Sequence, residues 1–375
     1  MLTETERAVV TLLRADPLIS TGELAERLGT SRDAVRVHLS NLGKKGVILG
    51  RGYVLRRSGA AVVIGGANLD IKAQSAAAAV AATSNPGSVT SSVGGVGRNI
   101  AENLARLGTT THLVAAIGDD PFGERVLSAT RAAGVHLDHV HRSTAPTGTY
   151  TAVLDHDGEL VIAVSAMRAT EELDAAKILS HRDLVTHADH LVLDGNLCAE
   201  AIVAALDVAA TADVPVLLEP VSDAKAARLA EVLDPGRPIA VLTPNRSELA
   251  AMTQRPTRTD RQLRAAAADL HERGVSLVWA RLGERGSLVS RADGDVTEHA
   301  ALPGEVVDVT GAGDSMAGAY VHARLAGRDV DDAVAFAGAA AALTVEHTAA
   351  VRPDLTDASV EARLASALDD STRTT

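Results

Sequence analysis

The chain has one cysteine, few aromatic residues and no long apolar run, and each scarcity excludes a class of protein. Cys198 cannot form an intramolecular disulfide by itself, which is typical of a reducing compartment. Aromatic residues are 2% of the 375 residues and apolar residues 46%, so Ala, Val, Leu and Ile must build the core. The longest apolar run, 333–345, is too short to span a bilayer, and the N-terminus lacks the pattern of a secretory signal. We therefore predict a cytoplasmic protein with no membrane partner.

The sequence also lacks a Gly-x-x-x-x-Gly-Lys-Ser/Thr loop, which excludes a nucleotide site of the Walker type. A net charge of -12 argues against nucleic acid as a partner of the whole chain. The charge is uneven, because residues 1–57 carry ten Lys or Arg and six Asp or Glu, a net of +4. The first segment therefore presents a different kind of surface from the rest, whose net charge is -16.

Three short helices are predicted in the first segment. Residues 3–15 have an amphipathic pattern, Ser20-Thr-Gly-Glu23 can start a second helix, and Ser31 can cap a third. Helix, Gly29 turn and helix, followed by a hairpin-like stretch at 47–55, resemble a winged helix-turn-helix. The residues that the third helix would turn outward, toward DNA, are Arg32, Arg36 and His38.

From Ala60 onward, short apolar runs alternate with helical stretches, which is typical of a doubly wound, mostly parallel α/β sheet flanked by helices. Two segments, at about 72–93 and 145–165, are instead rich in Ser, Thr and alternating Val, and predict a small β lid with a hairpin turn at Asp155-His-Asp-Gly158. The predicted strands of the main sheet are 61–64, 111–114, 190–193, 214–218, 239–242 and 277–279. The predicted domains are a winged helix-turn-helix at 1–57, an α/β domain with its lid at 60–365, and a polar tail at 366–375.

The glycine-rich turn Asp308-Val-Thr-Gly-Ala-Gly-Asp314 leads into an apolar helix, and helix starts of this kind bind anions through free backbone amides. A carboxylate would repel the bound phosphate, so its presence there indicates a part in the reaction. We expect Asp314 to accept the proton of an attacking hydroxyl. The backbone amides of Gly311, Ala312 and Gly313 would stabilise the transferred phosphoryl group. On the residues alone, Asp314 could instead cap the helix.

This turn resembles the C-terminal signature of the ribokinase-like, or pfkB, carbohydrate kinase family, and Gly94-Gly-Val-Gly-Arg-Asn-Ile-Ala101 resembles its N-terminal signature. The resemblance covers roughly 60–365 and implies a ribokinase-like fold. It also implies an ATP-dependent kinase for a sugar or nucleoside, with Mg2+ and, as in relatives, a monovalent cation such as K+. The further motifs that carry it are Ala67-Asn-Leu-Asp70, Gly118-Asp-Asp-Pro-Phe-Gly123, Asn245-Arg-Ser-Glu248 and Gly283-Glu-Arg-Gly286.

The same resemblance implies roles for individual residues. Asp70 would accept two sugar hydroxyls. The residues that would complete the ribose site are Asn68, Gly95 and Asn99. Those that would bind ATP and its magnesium are Asn245, Glu248, Arg281, Gly283 and Gly286. The carbonyl groups that would bind the monovalent cation are those of Asp308 and Thr310. Simpler interpretations stay open: Asp70 and Asn245 as turn or helix caps, and the two glycines at 283 and 286 as a hairpin turn. The Gly95-Val-Gly97 stretch is not a dinucleotide fingerprint, because the segment before it is too polar for a central strand.

Three positions depart from the family pattern. Val96 replaces the lysine of the ribokinase Gly-Gly-Lys-Gly motif, Arg281 replaces a small polar residue, and Glu219 replaces an aspartate. The stretches 83–87 and 219–225 resemble the pseudouridine kinase branch, which favours pseudouridine over free ribose as substrate. Pseudouridine has an additional ring N-H that a lid side chain could recognise. The candidates are Ser84, Asn85 and Thr149, each of which is also an ordinary turn or strand residue.

Two alternatives remain for the function: a kinase for another nucleoside or sugar, such as inosine or ribose, or a transcription regulator that senses a ligand through the kinase fold and binds DNA through its first segment. Lid strands in this family often pair between subunits, so a homodimer is expected. Six histidines outside these motifs are predicted to be solvated rather than metal-bound. They are His136, His139, His141, His181, His187 and His190.

Overall fold

A computed structural model describes residues 2–48 and 59–373 and divides the chain into two compact units, Met1–Ser58 and Gly59–Thr375. The predicted wing at 47–55 lies almost entirely outside the described residues. Among the described helices, none combines the length and the apolar character needed to cross a membrane.

The first unit contains the three predicted helices, which are α1 (Glu4–Ala15), α2 (Thr21–Arg27) and α3 (Arg32–Lys44). Ser20 caps α2 in a capping box with Glu23, and Ser31 caps α3. These helices pack around a core of their own, formed mainly by Val9, Leu13, Leu24, Val35 and Leu42.

The outer face of α3 differs in part from the prediction. Arg32 and Arg36 are exposed as predicted, and Arg36 pairs with Asp33 at 3.0 Å. His38 is only half-exposed, and its Nδ1 is buried without a partner among the described residues. His38 therefore packs partly inward, where an outward orientation was expected.

The second unit alternates strands and helices in the order that the sequence predicts. Its helices are α4 (Val96–Arg106), α5 (Pro121–Ala132), α6 (Arg168–Glu171), α7 (Ala175–Ser180), α8 (Arg182–Thr186), α9 (Ala199–Thr211), α10 (Asp223–Ala230), α11 (Arg246–Thr253), α12 (Asp260–Glu272), α13 (Ala312–Leu325), α14 (Val330–Val345) and α15 (Asp357–Arg373). Its strands are β1 (Ala60–Ile64), β2 (Asn68–Ser75), β3 (Gly87–Gly94), β4 (Thr110–Val114), β5 (Ala116–Gly118), β6 (His141–Ser143), β7 (Gly148–Leu154), β8 (Leu160–Ala166), β9 (His190–Asp194), β10 (Val216–Glu219), β11 (Val241–Leu242), β12 (Leu277–Arg281), β13 (Ser287–Arg291) and β14 (Val296–His299).

Eight strands form the main sheet in the order β14-β13-β12-β11-β10-β9-β1-β4. The six strands from β4 to β12 are parallel to one another, and β13 and β14 continue the sheet as an antiparallel hairpin. Alternate residues of β1 enter different cores: Val62 and Ile64 belong to one cluster, and Ala61 and Val63 to the other. The sheet is therefore buried on both faces, as its continuous apolar strands predict.

The predicted lid is a separate four-stranded sheet in the order β3-β2-β7-β8. The β7–β8 hairpin turns at 155–159, where the sequence predicts it. Strand β8 lies at one edge and is exposed along its whole length, with Leu160, Val161, Ile162 and Val164 each more than half exposed. The homodimer stays a prediction, for which this apolar edge is a candidate surface.

Three details of the structure differ from the sequence prediction. The predicted strand 239–242 is reduced to Val241–Leu242, with Ile239 forming only an isolated bridge. The hairpin of β13 and β14 was not predicted. Of the six histidines predicted to be solvated, His136 and His187 are exposed, whereas His139, His141 and His181 are half-buried. The Nε2 atoms of His141 and His181 lie 2.7 Å apart. His190 is buried in β9.

Candidate active site

The glycine-rich turn ends where α13 begins, and Gly311 is the N-cap residue of that helix. Gly311 has a φ of 82°, and a Cβ at this position would overlap the carbonyl oxygen of Ala350. Only glycine fits this conformation and this space. Gly311 has no side chain to cap the helix, and the Ala312 amide donates to the Val309 carbonyl oxygen at 3.3 Å. Among the described residues the amides of Gly313 and Asp314 have no acceptor, so these two are available to an anion.

Asp314 is the third residue of α13, and its Oδ2 accepts a hydrogen bond from Asn99 Nδ2 at 2.8 Å. The helix-cap interpretation of Asp314 is therefore wrong, because Gly311 occupies the cap position and the carboxylate bonds to another helix. A carboxylate beside free backbone amides is placed to exchange a proton with a group bound there.

The environment of Asp314 raises its pKa to about 7. Burial is the main cause, and the negative charges of Glu219 and Asp194 act in the same direction. The hydrogen bond from Asn99 and the charge of Arg281 lower the pKa, but less. Asp314 thus titrates near neutral pH, which suits a general base.

Asn99 lies in the first turn of α4 and is itself oriented by a neighbour. Arg98 Nη1 donates to Asn99 Oδ1 at 2.8 Å, which directs Nδ2 toward Asp314. Burial lowers the pKa of Arg98 to about 10, and this guanidinium also pairs with Glu102. The helix starts at Gly95, whose φ is 100°, and a Cβ on Gly95 would lie 2.5 Å from the Gly66 carbonyl oxygen. This close approach requires glycine.

Asp70 lies inside the lid strand β2, so its interpretation as a turn or helix cap is wrong. Its Oδ1 accepts a hydrogen bond from Asn68 Nδ2 at 2.7 Å, and its carboxylate packs against Gly94. Burial raises the pKa of Asp70, although the charges of Arg98 and Lys72 oppose this. The carboxylate is half-exposed, so it can still accept hydrogen bonds from a ligand.

Asp194 is a buried residue of the site region that the sequence analysis missed. Its Oδ2 accepts hydrogen bonds from the amides of Gly66, at 2.9 Å, and Gly97, at 2.7 Å, and its Oδ1 accepts one from the Asn196 amide at 2.9 Å. It thereby ties the loop after β1 to the start of α4. The signal was present, since Asp194 ends an apolar parallel strand, where open α/β sheets bind ligands.

Glu219 and Arg281, both departures from the family pattern, form an ion pair with Oε1 and Nη2 2.6 Å apart. Arg281 Nη2 also lies 3.8 Å from Glu248 Oε2. Asn245 caps α11 in a capping box with Glu248, so its interpretation as a helix cap is confirmed. Burial raises the pKa of Glu248, and the charge of Glu219 adds to the effect.

The remaining predicted residues lie around this centre. Gly283 and Gly286 form the turn between β12 and β13, as the hairpin interpretation predicts. Asp308 Oδ1 accepts a hydrogen bond from the Thr310 amide at 2.8 Å. Asp308 Oδ2 lies 3.9 Å from Nζ of the lid residue Lys72.

The predicted base-recognising residues lie in the lid. Ser84 and Asn85 are exposed in the β2–β3 connection. The Asn85 side chain accepts a hydrogen bond from the Val80 amide and donates to the carbonyl oxygens of Val80 and Thr83, all within its own turn. Thr149 is half-buried in β7, opposite Leu69 of β2.

Comparison with known proteins agrees with this architecture. Residues 59–357 match the model of the pfkB family carbohydrate kinases, and residues 2–48 match that of winged helix-turn-helix DNA-binding domains. The uncharacterized sugar kinase YeiI of Escherichia coli is 34% identical over 90% of this chain and 92% of its own length. The pseudouridine kinase of Escherichia coli is 31% identical over 82% of this chain and 96% of its own length.

Solved structures give the same result for the fold. A carbohydrate kinase from Agrobacterium tumefaciens is 32% identical, with a TM-score of 0.71, over 82% of this chain and 97% of that one. The Arabidopsis thaliana ribokinase complexed with ribose and ATP has a TM-score of 0.71 and 28% identity, over 82% of this chain and 99% of that one. The chain thus belongs to the pfkB family of carbohydrate kinases and is a phosphotransferase for a sugar or nucleoside, with a winged helix-turn-helix domain at its N-terminus.

Proposed function

We propose that this protein transfers the γ-phosphoryl group of ATP to the 5'-hydroxyl of pseudouridine. The hydroxyl oxygen forms a bond to the γ-phosphorus, the bond from that phosphorus to the β,γ-bridging oxygen breaks, and ADP leaves. The proton of the hydroxyl passes to the Asp314 carboxylate. The products are pseudouridine 5'-phosphate and ADP.

The position of Asp314 carries the proposal. Its carboxylate lies in the first turn of a helix whose Gly313 and Asp314 amides are open to an anion, and its pKa is raised to about 7. A base in that environment is largely ionised just above neutral pH, yet still basic enough to take a proton from an alcohol during phosphoryl transfer. The amides of Gly311 and Gly313 would stabilise the charge on the phosphoryl oxygens. The Ala312 amide would join them after releasing the Val309 carbonyl oxygen.

The choice of pseudouridine rests on the relatives and on Val96. The Escherichia coli pseudouridine kinase is similar over nearly its whole length, and Val96 stands in place of the lysine of ribokinases. Asp70 and Asn68 would hold the ribose hydroxyls. Thr149, within the lid sheet, is the better candidate for the base, because Asn85 would first have to give up the hydrogen bonds of its own turn.

Magnesium fits the acidic side chains near Arg281. Glu248 offers a carboxylate oxygen, the ligand type that Mg2+ prefers. Asn245 Oδ1 already accepts hydrogen bonds from the amides of Ser247 and Glu248, so Asn245 would act by holding Glu248 in place. Three carboxylates, those of Glu219, Glu248 and Asp314, interact with the single guanidinium of Arg281. A divalent cation would offset this excess of negative charge. When bound with ATP, the ion would neutralise charge on the phosphate oxygens. The carbonyl groups of Asp308 and Thr310 remain the proposed ligands of a monovalent cation such as K+.

A substrate panel tests this proposal. Pseudouridine, uridine, inosine and ribose are each incubated with the full chain, ATP and Mg2+, and the products are identified by mass. We expect pseudouridine to have the highest kcat/KM and to gain one phosphate. If ribose or inosine has a higher kcat/KM than pseudouridine, that compound becomes the proposed substrate. If none of the acceptors is phosphorylated, the catalytic proposal itself is contradicted.

We also propose that the first unit binds DNA through α3. The match of residues 2–48 to winged helix-turn-helix DNA-binding domains and the net charge of +4 on residues 1–57 support this. Arg32 is exposed and so is Arg36, although Asp33 neutralises part of its charge. The half-buried His38 is the weakest of the three predicted contacts.

DNA binding is measured by mobility shift with genomic fragments at two salt concentrations. We expect binding that weakens as salt rises, because phosphate contacts release counterions. The variant Arg32→Ala should weaken the shift, whereas Arg14→Ala in α1 serves as the matched control. Equal shifts for the wild type and Arg32→Ala, or no shift at low salt, would contradict the proposed role of α3.

A further inference from the structure

The Arg281 guanidinium lies between a buried carboxylate and the start of α13. Its Nη2 is 2.6 Å from Glu219 Oε1, and a Cβ on Gly313 would overlap its Nη1. One end of the guanidinium thus pairs with Glu219 and the other lies against the backbone that we propose binds the phosphoryl group. Arg281 and Glu219 end the parallel strands β12 and β10.

Most of the hydrogen-bonding capacity of Arg281 is unused. A guanidinium has five N-H donors. Within residues 2–48 and 59–373, the Arg281 side chain donates a single hydrogen bond, from Nη2 to Glu219. Nη1 has no acceptor there, and it is not among the fully enclosed unpaired atoms. A donor that is unpaired but still accessible, next to Gly313, is available to a ligand oxygen.

Glu219 is held firmly, which fixes the position of Arg281. Only 3% of the residue is exposed, and its Oε2 accepts a hydrogen bond from Thr243 Oγ1 at 2.7 Å. Thr243 is itself buried. The carboxylate therefore orients the guanidinium before any ligand binds, so little rearrangement is needed when charge develops nearby.

We propose that Arg281 is a catalytic residue that binds the transferred phosphoryl group through Nη1, and that Glu219 is the positioning residue that holds it there. This inference rests on the proposed function and deepens it, because it assigns Arg281 to the reacting phosphate rather than to the rest of the nucleotide. Arginine suits this place, since its planar donors match phosphate oxygens and its charge persists when it is buried.

The pair also affects the base. Asp314 is faced by Arg98 and Asn99 from α4, Asp194 from β9, Glu219 from β10 and Arg281 from β12. The charge of Arg281 lowers the pKa of Asp314, and that of Glu219 raises it. Removal of either charge should therefore displace the acid limb of the kcat/KM profile, in opposite directions. This opposition measures the electrostatic coupling of the pair to Asp314, whereas the loss of kcat in Arg281→Gln tests the contact with the phosphoryl group.

The test measures kcat, KM and the pH profile of the full chain with ATP and the best acceptor of the panel. Arg281→Gln should lower kcat by about 10²-fold or more, the usual effect of losing one donor to a developing oxyanion, with a smaller change in the acceptor KM. Its acid limb should move to higher pH, and that of Glu219→Gln to lower pH. In Arg281→Lys the acid limb should lie at the wild-type pH, because the positive charge is kept. Its kcat should be only partly wild-type, because lysine lacks the planar pair of N-H donors of a guanidinium. Arg264→Gln, at an exposed arginine paired with Glu298, is the matched control and should behave as the wild type.

The inference is overturned if folded Arg281→Gln keeps more than about a third of the wild-type kcat. If the acid limbs of the two charge variants do not separate, the coupling of the pair to Asp314 is contradicted. Should Arg281→Gln fail to fold, Arg281→Lys decides: wild-type kcat and KM would also overturn it. The proposed function is judged separately, by whether the wild type phosphorylates any acceptor. Wild-type turnover with unaffected Arg281 variants contradicts this inference alone.

Discussion

Replacing Asp314 with asparagine is expected to lower kcat by about 10²- to 10⁴-fold, the usual contribution of a general base. The amide has nearly the same size and can still accept the hydrogen bond from Asn99. It cannot accept a proton from the substrate hydroxyl. The KM of the acceptor should therefore change little, and the loss should appear in kcat.

Steady-state kinetics with the preferred acceptor of the panel measure this effect. Asp213→Asn is the control, because Asp213 has a φ of 53°, a conformation that asparagine adopts readily. It should leave kcat unchanged. An Asp314→Asn protein with more than about a hundredth of the wild-type kcat would show that another group takes the proton.

Replacing Asp194 with alanine is expected to lower the free energy of unfolding by about 3 kcal/mol or more. The carboxylate accepts hydrogen bonds from three backbone amides in the interior, and each buried donor left unpaired costs about 1–3 kcal/mol. Part of this loss is recovered, because a buried carboxylate is itself costly and its pKa is raised by burial. We expect the unpaired donors to outweigh that gain.

Urea unfolding at constant pH measures the change. Asp194→Asn is a second useful variant. Its side-chain carbonyl oxygen can still accept hydrogen bonds, but its NH2 group would face a backbone donor, so we expect an intermediate loss of unfolding free energy. A loss below about 1 kcal/mol in Asp194→Ala would mean that the loop after β1 and the start of α4 do not depend on this carboxylate.

The main strands were predictable because parallel strands buried on both faces are continuous apolar runs. The hairpin of β13 and β14 was missed because it has no such run: Ser287–Arg291 mixes polar and apolar residues, and Val296–His299 is short and polar. Strand β11 is shorter than predicted, because the apolar run 239–242 pairs continuously only over its last two residues.

The glycine-rich turn that we propose is catalytic was visible in the sequence, but the residues that it contacts were not. The contact of Asp314 with Asn99 joins residues 215 positions apart, and that of Arg281 with Glu219 joins residues 62 apart. No periodicity relates such residues. The unusual residues at 219 and 281 appeared as two unrelated departures, and only the fold brings them together as one ion pair.

The crowding at Gly95 and Gly311 has a consequence for how related chains are classified. At both positions a Cβ has no room, since backbone carbonyl oxygens occupy its place. A homologous chain with any larger residue at either position would keep the fold only by displacing the backbone at Gly66 and Ala67 or that at Ala350. Overall similarity alone would therefore not justify assigning the proposed site to such a chain, and these two positions should be inspected first in any homologous sequence.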